Sequence, residues 1–268
     1  FGMGGIQVFA AEASGPTHDK VHPRIGVTAK WIWGIYAGMT GTLIILLVFG
    51  GMGLFDSICH AFTTTSTGGF STKQTSIEYY HSPYIDYVIS VFMFLSGVNF
   101  TLLLLMFNGK IKKFIHDAEL KFYFMSVAFF IAVWLYQTSS MGAEEAFRKS
   151  LFQVISLQTS TGFATADYML WPSILWGCLL IVMIMGACAG STTGGIKCIR
   201  MVILFKVAKN EFKHILHPNA VLPVRVNKQV ISPSIQSTVL AFTFLYAIIA
   251  VISILVMMGF GVGFLESI

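Results

Sequence analysis

Apolar residues along the chain gather in long blocks, and four of these are long enough as helices to cross a bilayer. A hydrocarbon core of about 30 Å takes about 20 helical residues at about 1.5 Å each. The blocks run over 31–53, 84–107, 122–136 with a few flanking residues, and 234–264. A fifth block, 173–205, is too long for a plain span and is interrupted between Gly186 and Gly195 by GACAGSTTGG, with four glycines and three hydroxyls. At membrane depth such irregular backbone survives only when buried in protein or beside a water-filled cavity.

Composition agrees with the pattern. Of 268 residues, 55% are hydrophobic and 11% charged, whereas a soluble domain is about a quarter charged. A soluble shell is excluded, and so is a nucleic-acid partner, which would require a clustered basic face. Cys59, Cys178, Cys188 and Cys198 lack metal-ligand spacing, so neither a disulfide framework nor a zinc site is expected. No signal peptide is read at the start, where a basic region and a small-residue cleavage site are both missing.

Basic residues assign the sides of the membrane, because Lys and Arg are retained on the cytoplasmic face. Lys20, Arg24 and Lys30 precede the first span, Lys110, Lys112, Lys113 and Lys121 separate the second and third, and Lys197, Arg200, Lys206, Lys209, Lys213, Arg225 and Lys228 follow the interrupted block. Only Lys73, Arg148 and Lys149 fall on the other side, against Asp56, Glu78, Asp86, Glu144, Glu145, Asp167 and Glu266. An acidic outer mouth would gather cations.

The chain repeats itself. An offset of 93 residues places Gly69-Phe70 on Gly162-Phe163, Ser57 on Ser150, Thr72 on Thr165, Thr63 on Ser156, Ser66 on Thr159 and Thr67 on Ser160. Each unit reads as an apolar span, a short amphipathic run, a hydroxyl-glycine-Phe loop, a proline (Pro83, Pro172) and a second span. The first amphipathic run, 55–65, extends about 16 Å as a helix, roughly half-way through the core. It must enter and return on one side. The following TTTSTGGFST has seven hydroxyls in ten residues, and 144–157 followed by QTSTGFAT repeats the shape. Two half-helices would aim their partially negative C-terminal ends at a shared centre and favour a cation there. Glycines let successive carbonyls turn inward, where they replace the water around a potassium ion.

Phe264 to Ile268 matches Leu54 to Ile58, and Gly5 to Val8 matches Gly97 to Phe100. The chain therefore reads as the middle of a longer array, two whole repeats flanked by the tail of one and the head of another.

These stretches resemble the TrkH branch of the Trk/Ktr/HKT superfamily of potassium transporters. The resemblance rests on GGIQVFAAEASGP (4–16), HAFTTTSTGGFST (60–72), FQVISLQTSTGFATADY (152–168), GACAGSTTGGIKCIR (186–200) and HPNAV (217–221). It implies an all-α polytopic membrane protein, with membrane–pore-loop–membrane repeats around a pseudo-fourfold pore. The divisions expected are the end of the first repeat and a linker (1–30), the second repeat (31–109), the third repeat with its interrupted helix (110–215), a cytoplasmic linker (216–233) and the first helix of the fourth repeat (234–268). The resemblance further implies a potassium filter at Ser66, Thr67, Gly68, Gly69 and Phe70 and at Thr159, Ser160, Thr161, Gly162 and Phe163. It makes Gly186, Gly190, Ser191, Thr192, Thr193, Gly194 and Gly195 an intramembrane gate loop. Potassium is the implied cargo, with no cofactor in this chain. The implied partners are membrane lipid, a second copy in a homodimer, and cytosolic TrkA-like subunits that carry the nucleotide, with 206–225 as a docking surface. The implied location is the plasma membrane of a prokaryote, the inner membrane of a Gram-negative one.

Other readings stand beside these. Gly186, Gly190 and Gly194 recur every four residues, which also makes a smooth helix face for close packing. His60 reads as a neutral histidine satisfied by a neighbouring helix, and Asn99 as a bond across helices. GSTTGGIK lacks the Gly-Lys-Ser/Thr ending of a phosphate loop. A secondary transporter with discontinuous helices would have inverted repeats, whereas these run the same way. A membrane hydrolase would need a nucleophile and base together, and Ser191 has no His or Asp near it in sequence, so no enzyme is expected.

Overall fold

The computed structural model describes residues 25–137, 142–166, 171–220, 222–227 and 229–263. They form helices joined by short loops, apart from one small hairpin. Two compact units divide the chain, 1–198 and 199–268. The expectations placed on Gly4 to Pro16, Lys20, Arg24, Asp167, Tyr168, Val221, Lys228 and Phe264 to Ile268 lie outside the described residues.

The first unit holds α1 (Ile25–Phe49), α2 (Leu54–Thr65), a 3-10 turn (Ser76–Tyr80), α3 (Pro83–Ser96), α4 (Phe100–Phe107), α5 (Ile111–His116), α6 (Ala118–Gln137), α7 (Ala143–Gln158) and α8 (Ser173–Met185). Helix α1 packs on α2, α3 and α4, and α6 on α7 and α8, so each repeat surrounds its own short helix. The two repeats meet where α3 packs on α7. Within the first unit, α1 over Ala29–Phe49 and α6 over Ala118–Leu135 are long and apolar enough to cross a membrane.

The block 84–107, expected as one span, is broken. Helices α3 and α4 are bent by 101°. Gly97 closes α3 by returning its N–H to the Met93 carbonyl at 3.0 Å, and it lies so near Tyr123 that a Cβ would meet the ring hydroxyl at 2.5 Å. Asn99 then starts α4, its side chain accepting from Thr101 N–H at 2.8 Å. Asn99 is therefore a helix cap. Hydropathy averages over such a break, because Gly97, Val98 and Asn99 are only three residues in an apolar run. The block 122–136 begins earlier, at Ala118, where Asp117 accepts from the N–H groups of Glu119 and Leu120, each at 2.9 Å.

Along one edge of the unit the charges pair. Arg148 reaches Asp86 at 2.5 Å and Glu144 at 3.0 Å, Lys149 reaches Glu145 at 2.7 Å, and Lys73 reaches Asp56 at 3.1 Å. Four of the acids expected to gather cations thus spend their charge on these neighbours. The Arg148–Asp86 pair joins the repeats, with the side chains 15% and 7% exposed.

The second unit holds α9 (Cys198–Leu216, whose first residue closes the first unit), β1 (Arg225–Val226) paired antiparallel with β2 (Gln229–Val230), and α10 (Pro233–Gly259). Lys206 Nζ donates to the Arg225 carbonyl at 2.6 Å and Asn210 to that of Leu222 at 2.9 Å, folding the hairpin back on α9. Lys206, expected on a docking surface, helps to hold this fold. Helix α10 is long and apolar enough to span a membrane, and it leaves Leu240, Phe244, Ile249 and Leu255 exposed.

Removing one partner of a buried ion pair leaves the other charge uncompensated. Arg148→Ala is expected to destabilise the detergent-solubilised protein by about 3 kcal/mol, while Arg148→Ala with Asp86→Asn loses less. Thermal unfolding of the two variants checks the order.

Candidate functional site

Helix α2 has 12 residues, about 18 Å of rise, and the chain after it returns to where the helix began. Thr72 donates to the Asp56 carboxylate at 2.7 Å, and Lys73 pairs with the same group. The loop therefore enters and leaves on one side. The Thr72 hydrogen bond, with Lys73, holds the Asp56 carboxyl below the ordinary carboxylate range.

Helix α7 and its loop repeat the inner bonds of this construction, though not its Asp56 anchor. Gly68 and Gly69 donate their N–H groups to the Thr63 carbonyl at 2.7 and 3.3 Å, and Thr161 and Gly162 donate theirs to Ser156 at 2.8 and 3.2 Å. Thr63 Oγ1 donates to the Phe70 carbonyl at 2.9 Å, and Ser156 Oγ to that of Phe163 at 2.7 Å. Thr67 and Ser160 both take left-handed backbone, with φ of 54° and 57°. So do Gly69 and Gly162, at 68° and 81°. Each hydroxyl near the end of a short helix ties down a carbonyl seven residues on.

The two loops come together. A Cβ at Gly69 would collide with the carbonyl oxygen of Thr161, so Ser66–Gly69 and Thr159–Gly162 adjoin. The phenylalanines part company: Phe70 is exposed and Phe163 is buried against His60, ring centres 5.8 Å apart.

The glycine-rich segment leaves the helical path. Helix α8 ends at Met185 and α9 begins at Cys198, which excludes a continuous helix with a glycine stripe. Gly186 and Gly195 touch, a Cβ on Gly195 meeting Gly186 Cα at 2.8 Å, so the residues between form an excursion with a closed neck. Its crest reaches both loops. Thr67 Oγ1 donates to the Thr192 carbonyl and Thr192 Oγ1 to that of Thr65, each at 3.0 Å, and a Cβ on Gly194 would meet Ser160 Oγ at 3.2 Å. Lys197 Nζ donates to the carbonyl and hydroxyl of Thr193. Gln158 Nε2 donates to the Gly186 carbonyl at 3.3 Å.

Two closely placed polar loops, matched in bonding and backed by a non-helical segment, could surround an ion with peptide oxygens. A family model described as TrkH, cation transport protein, matches residues 1–264. The chain belongs to the TrkH family. It is 38% identical over 272 residues to the Trk system potassium uptake protein TrkH of Escherichia coli (strain K12), covering 97% of this chain and 55% of the relative. It is 38% identical over 271 residues to TrkG of the same strain, covering 99% and 56%. The crystal structure of the potassium transporter TrkH from Vibrio parahaemolyticus matches with a TM-score of 0.87 at 31% identity, over 98% of this chain and 57% of that one. The chain spans about half the length of these relatives. The fold is that of a helical, multi-pass membrane protein of the TrkH family.

Within this TrkH-family fold His60 is fully buried. Its Nδ1 donates to the Asp56 carbonyl at 2.7 Å, leaving Nε2 to accept from Ser71 at 2.9 Å. The histidine thus braces its own loop, where a neighbouring helix was expected to satisfy it. The offset of 93 puts Gln153 in its place in the second copy, donating to the Ala166 carbonyl at 3.4 Å. Sequence reasoning missed the break at Gly97–Asn99 and the buried Glu119, which accepts from Ala189 N–H at 2.5 Å. An acid entering an apolar helix just after Asp117 was the one available signal.

A carboxylate whose folded pKa lies below its unfolded value of about 3.9 contributes stability above that value, and the contribution is lost as pH falls through the folded one. The Asp56 brace on Thr72 and Lys73 should hold at pH 5 to 7 and be lost only as pH falls through its folded value, below the ordinary carboxylate range. Asp56→Asn should reproduce the acid state at neutral pH, read as faster reductive methylation of Lys73.

Proposed function

We propose that this chain forms the second and third repeats of a potassium-uptake pore, over 31–109 and 110–215, and that it is not an enzyme. The observation that carries the reading is the pair of re-entrant loops with matching turn bonds to Thr63 and Ser156, meeting at Gly69 and Thr161. Ions would shed water against the carbonyls of Ser66, Thr67, Gly68 and Gly69 and of Thr159, Ser160, Thr161 and Gly162. Thr63 and Ser156 brace the Phe70 and Phe163 carbonyls at the end of each loop. The names of the E. coli and Vibrio relatives supply the ion.

The excursion from Gly186 to Gly195 would act as the gate, since Thr192 bonds the backbone at the inner end of one loop while Gly194 abuts Ser160 of the other. Membership of the TrkH family, and the Trk-system names of the E. coli relatives, support cytosolic nucleotide-binding regulators of the TrkA kind, a homodimer, and residence in a prokaryotic plasma membrane. The basic residues Lys209 and Lys213 on α9 are the docking groups proposed for the regulator.

Gly69→Ala puts a Cβ both in left-handed backbone and into the facing carbonyl. It should lower rubidium-over-sodium discrimination by about tenfold, about 1.4 kcal/mol, in competition uptake by the full-length protein. Unchanged competition would remove the filter assignment. Because Gly186 and Gly195 touch, deleting 187–194 leaves two ends close enough to join. The deletion should raise rubidium flux without the regulator, and an unaltered flux counts against the gate.

A further inference from the structure

The excursion keeps one of its carbonyls for itself, Cys188 accepting from Ser191 Oγ at 2.5 Å, and hands other peptide groups to neighbouring elements. Cys188 N–H donates to the Gly97 carbonyl at 3.0 Å, and the Gly190 carbonyl accepts from Phe100 N–H at 3.1 Å. Thr192 Oγ1 also reaches the Ser96 carbonyl at 3.4 Å. The acceptors and the donor on the second repeat are groups that a helix end leaves without an intrahelical partner. They exist because α3 stops and α4 restarts at Gly97–Asn99. The bend is thus a seat, a short stretch of unpaired backbone facing a second such stretch.

Between Cys188 and Gly190 lies Ala189, and its N–H goes to Glu119 Oε1 at 2.5 Å. Glu119 is 5% exposed, in the first turn of a helix that enters the membrane. A carboxylate is costly at such a site unless it is bonded, and a hydrogen bond to a charged acceptor is about twice as strong as a neutral one. We propose that Glu119 is the positioning residue that holds the glycine-rich excursion, through Ala189, in the seat formed by the break between α3 and α4. Only the effect on flux rests on the gate reading above.

Cys188 rides on the seated excursion and is fully buried, so its alkylation reports release without reference to transport. In the full-length protein in native membranes, treated with N-ethylmaleimide and read residue by residue by mass spectrometry, Glu119→Ala should speed Cys188 labelling about tenfold, the loss of one charged hydrogen bond. Glu119→Gln keeps an oxygen at the same reach and should stay within about twofold of the unsubstituted chain. Cys198 is buried outside the excursion and should stay unlabelled, which separates release from unfolding. If Glu119→Ala fails to fold, Glu119→Asp, one methylene short of Ala189, should give the same rise. Rubidium flux without the regulator should rise alongside, with rubidium-over-sodium discrimination unaltered. Unchanged Cys188 labelling in the shortened variants, or an equal rise in Glu119→Gln, overturns the proposal. Faster labelling with unchanged flux supports the seat and removes the gate reading instead.

Discussion

Inside a bilayer a peptide N–H or C=O has no water to turn to, and leaving it unpaired costs several kcal/mol. Helices avoid the difficulty by pairing internally. Among the described residues the two re-entrant loops, the break at Gly97–Asn99 and the excursion between Gly186 and Gly195 do not, and their partners account for much of the first unit. The loops turn to the carbonyls and hydroxyls of their own short helices, Thr63 and Ser156 serving both roles. The excursion turns outward, to Gly97, Phe100, Thr67 and Glu119. In this structure irregular backbone is therefore held by named bonds.

That requirement also gives the repeat its form. A short helix that enters and must return needs an anchor at its start and a brace at its end. In the first copy Asp56 supplies the anchor by holding Thr72 and Lys73, and in both a hydroxyl near the helix end, Thr63 or Ser156, supplies the brace. The two copies use different outer anchors, His60 and Ser71 in one and Gln153 and Ala166 in the other, yet the inner bonds coincide. The shared geometry lies in the turn bonds around Thr63 and Ser156.

Ion pairs play a supporting part. Arg148 bridges the repeats through Asp86 while keeping Glu144 on its own helix. Its burial makes it a structural joint, so a charge expected to attract passing cations is instead committed to holding α3 against α7.

Much was legible from residue order. Hydrophobic block length, the 93-residue offset and the hydroxyl-glycine loops sufficed for a helical membrane protein with two re-entrant segments, because span length, helix rise and the cost of exposed peptides are properties of the chain and its solvent. The same arithmetic read 84–107 as one rod, since hydropathy carries no record of a three-residue break. Whether Gly97 ends a helix depends on Tyr123 pressing against it, and whether Asn99 caps or bonds across depends on that ending. The glycines at 186, 190 and 194 suited a packed helix equally well. Facing groups on α2 and its loop, α3, α4 and α6 gave the excursion somewhere to bond, and those partners lie 70 or more residues away along the chain. Local pattern thus decided which segments could leave the helix, and long-range hydrogen bonding decided which of them did.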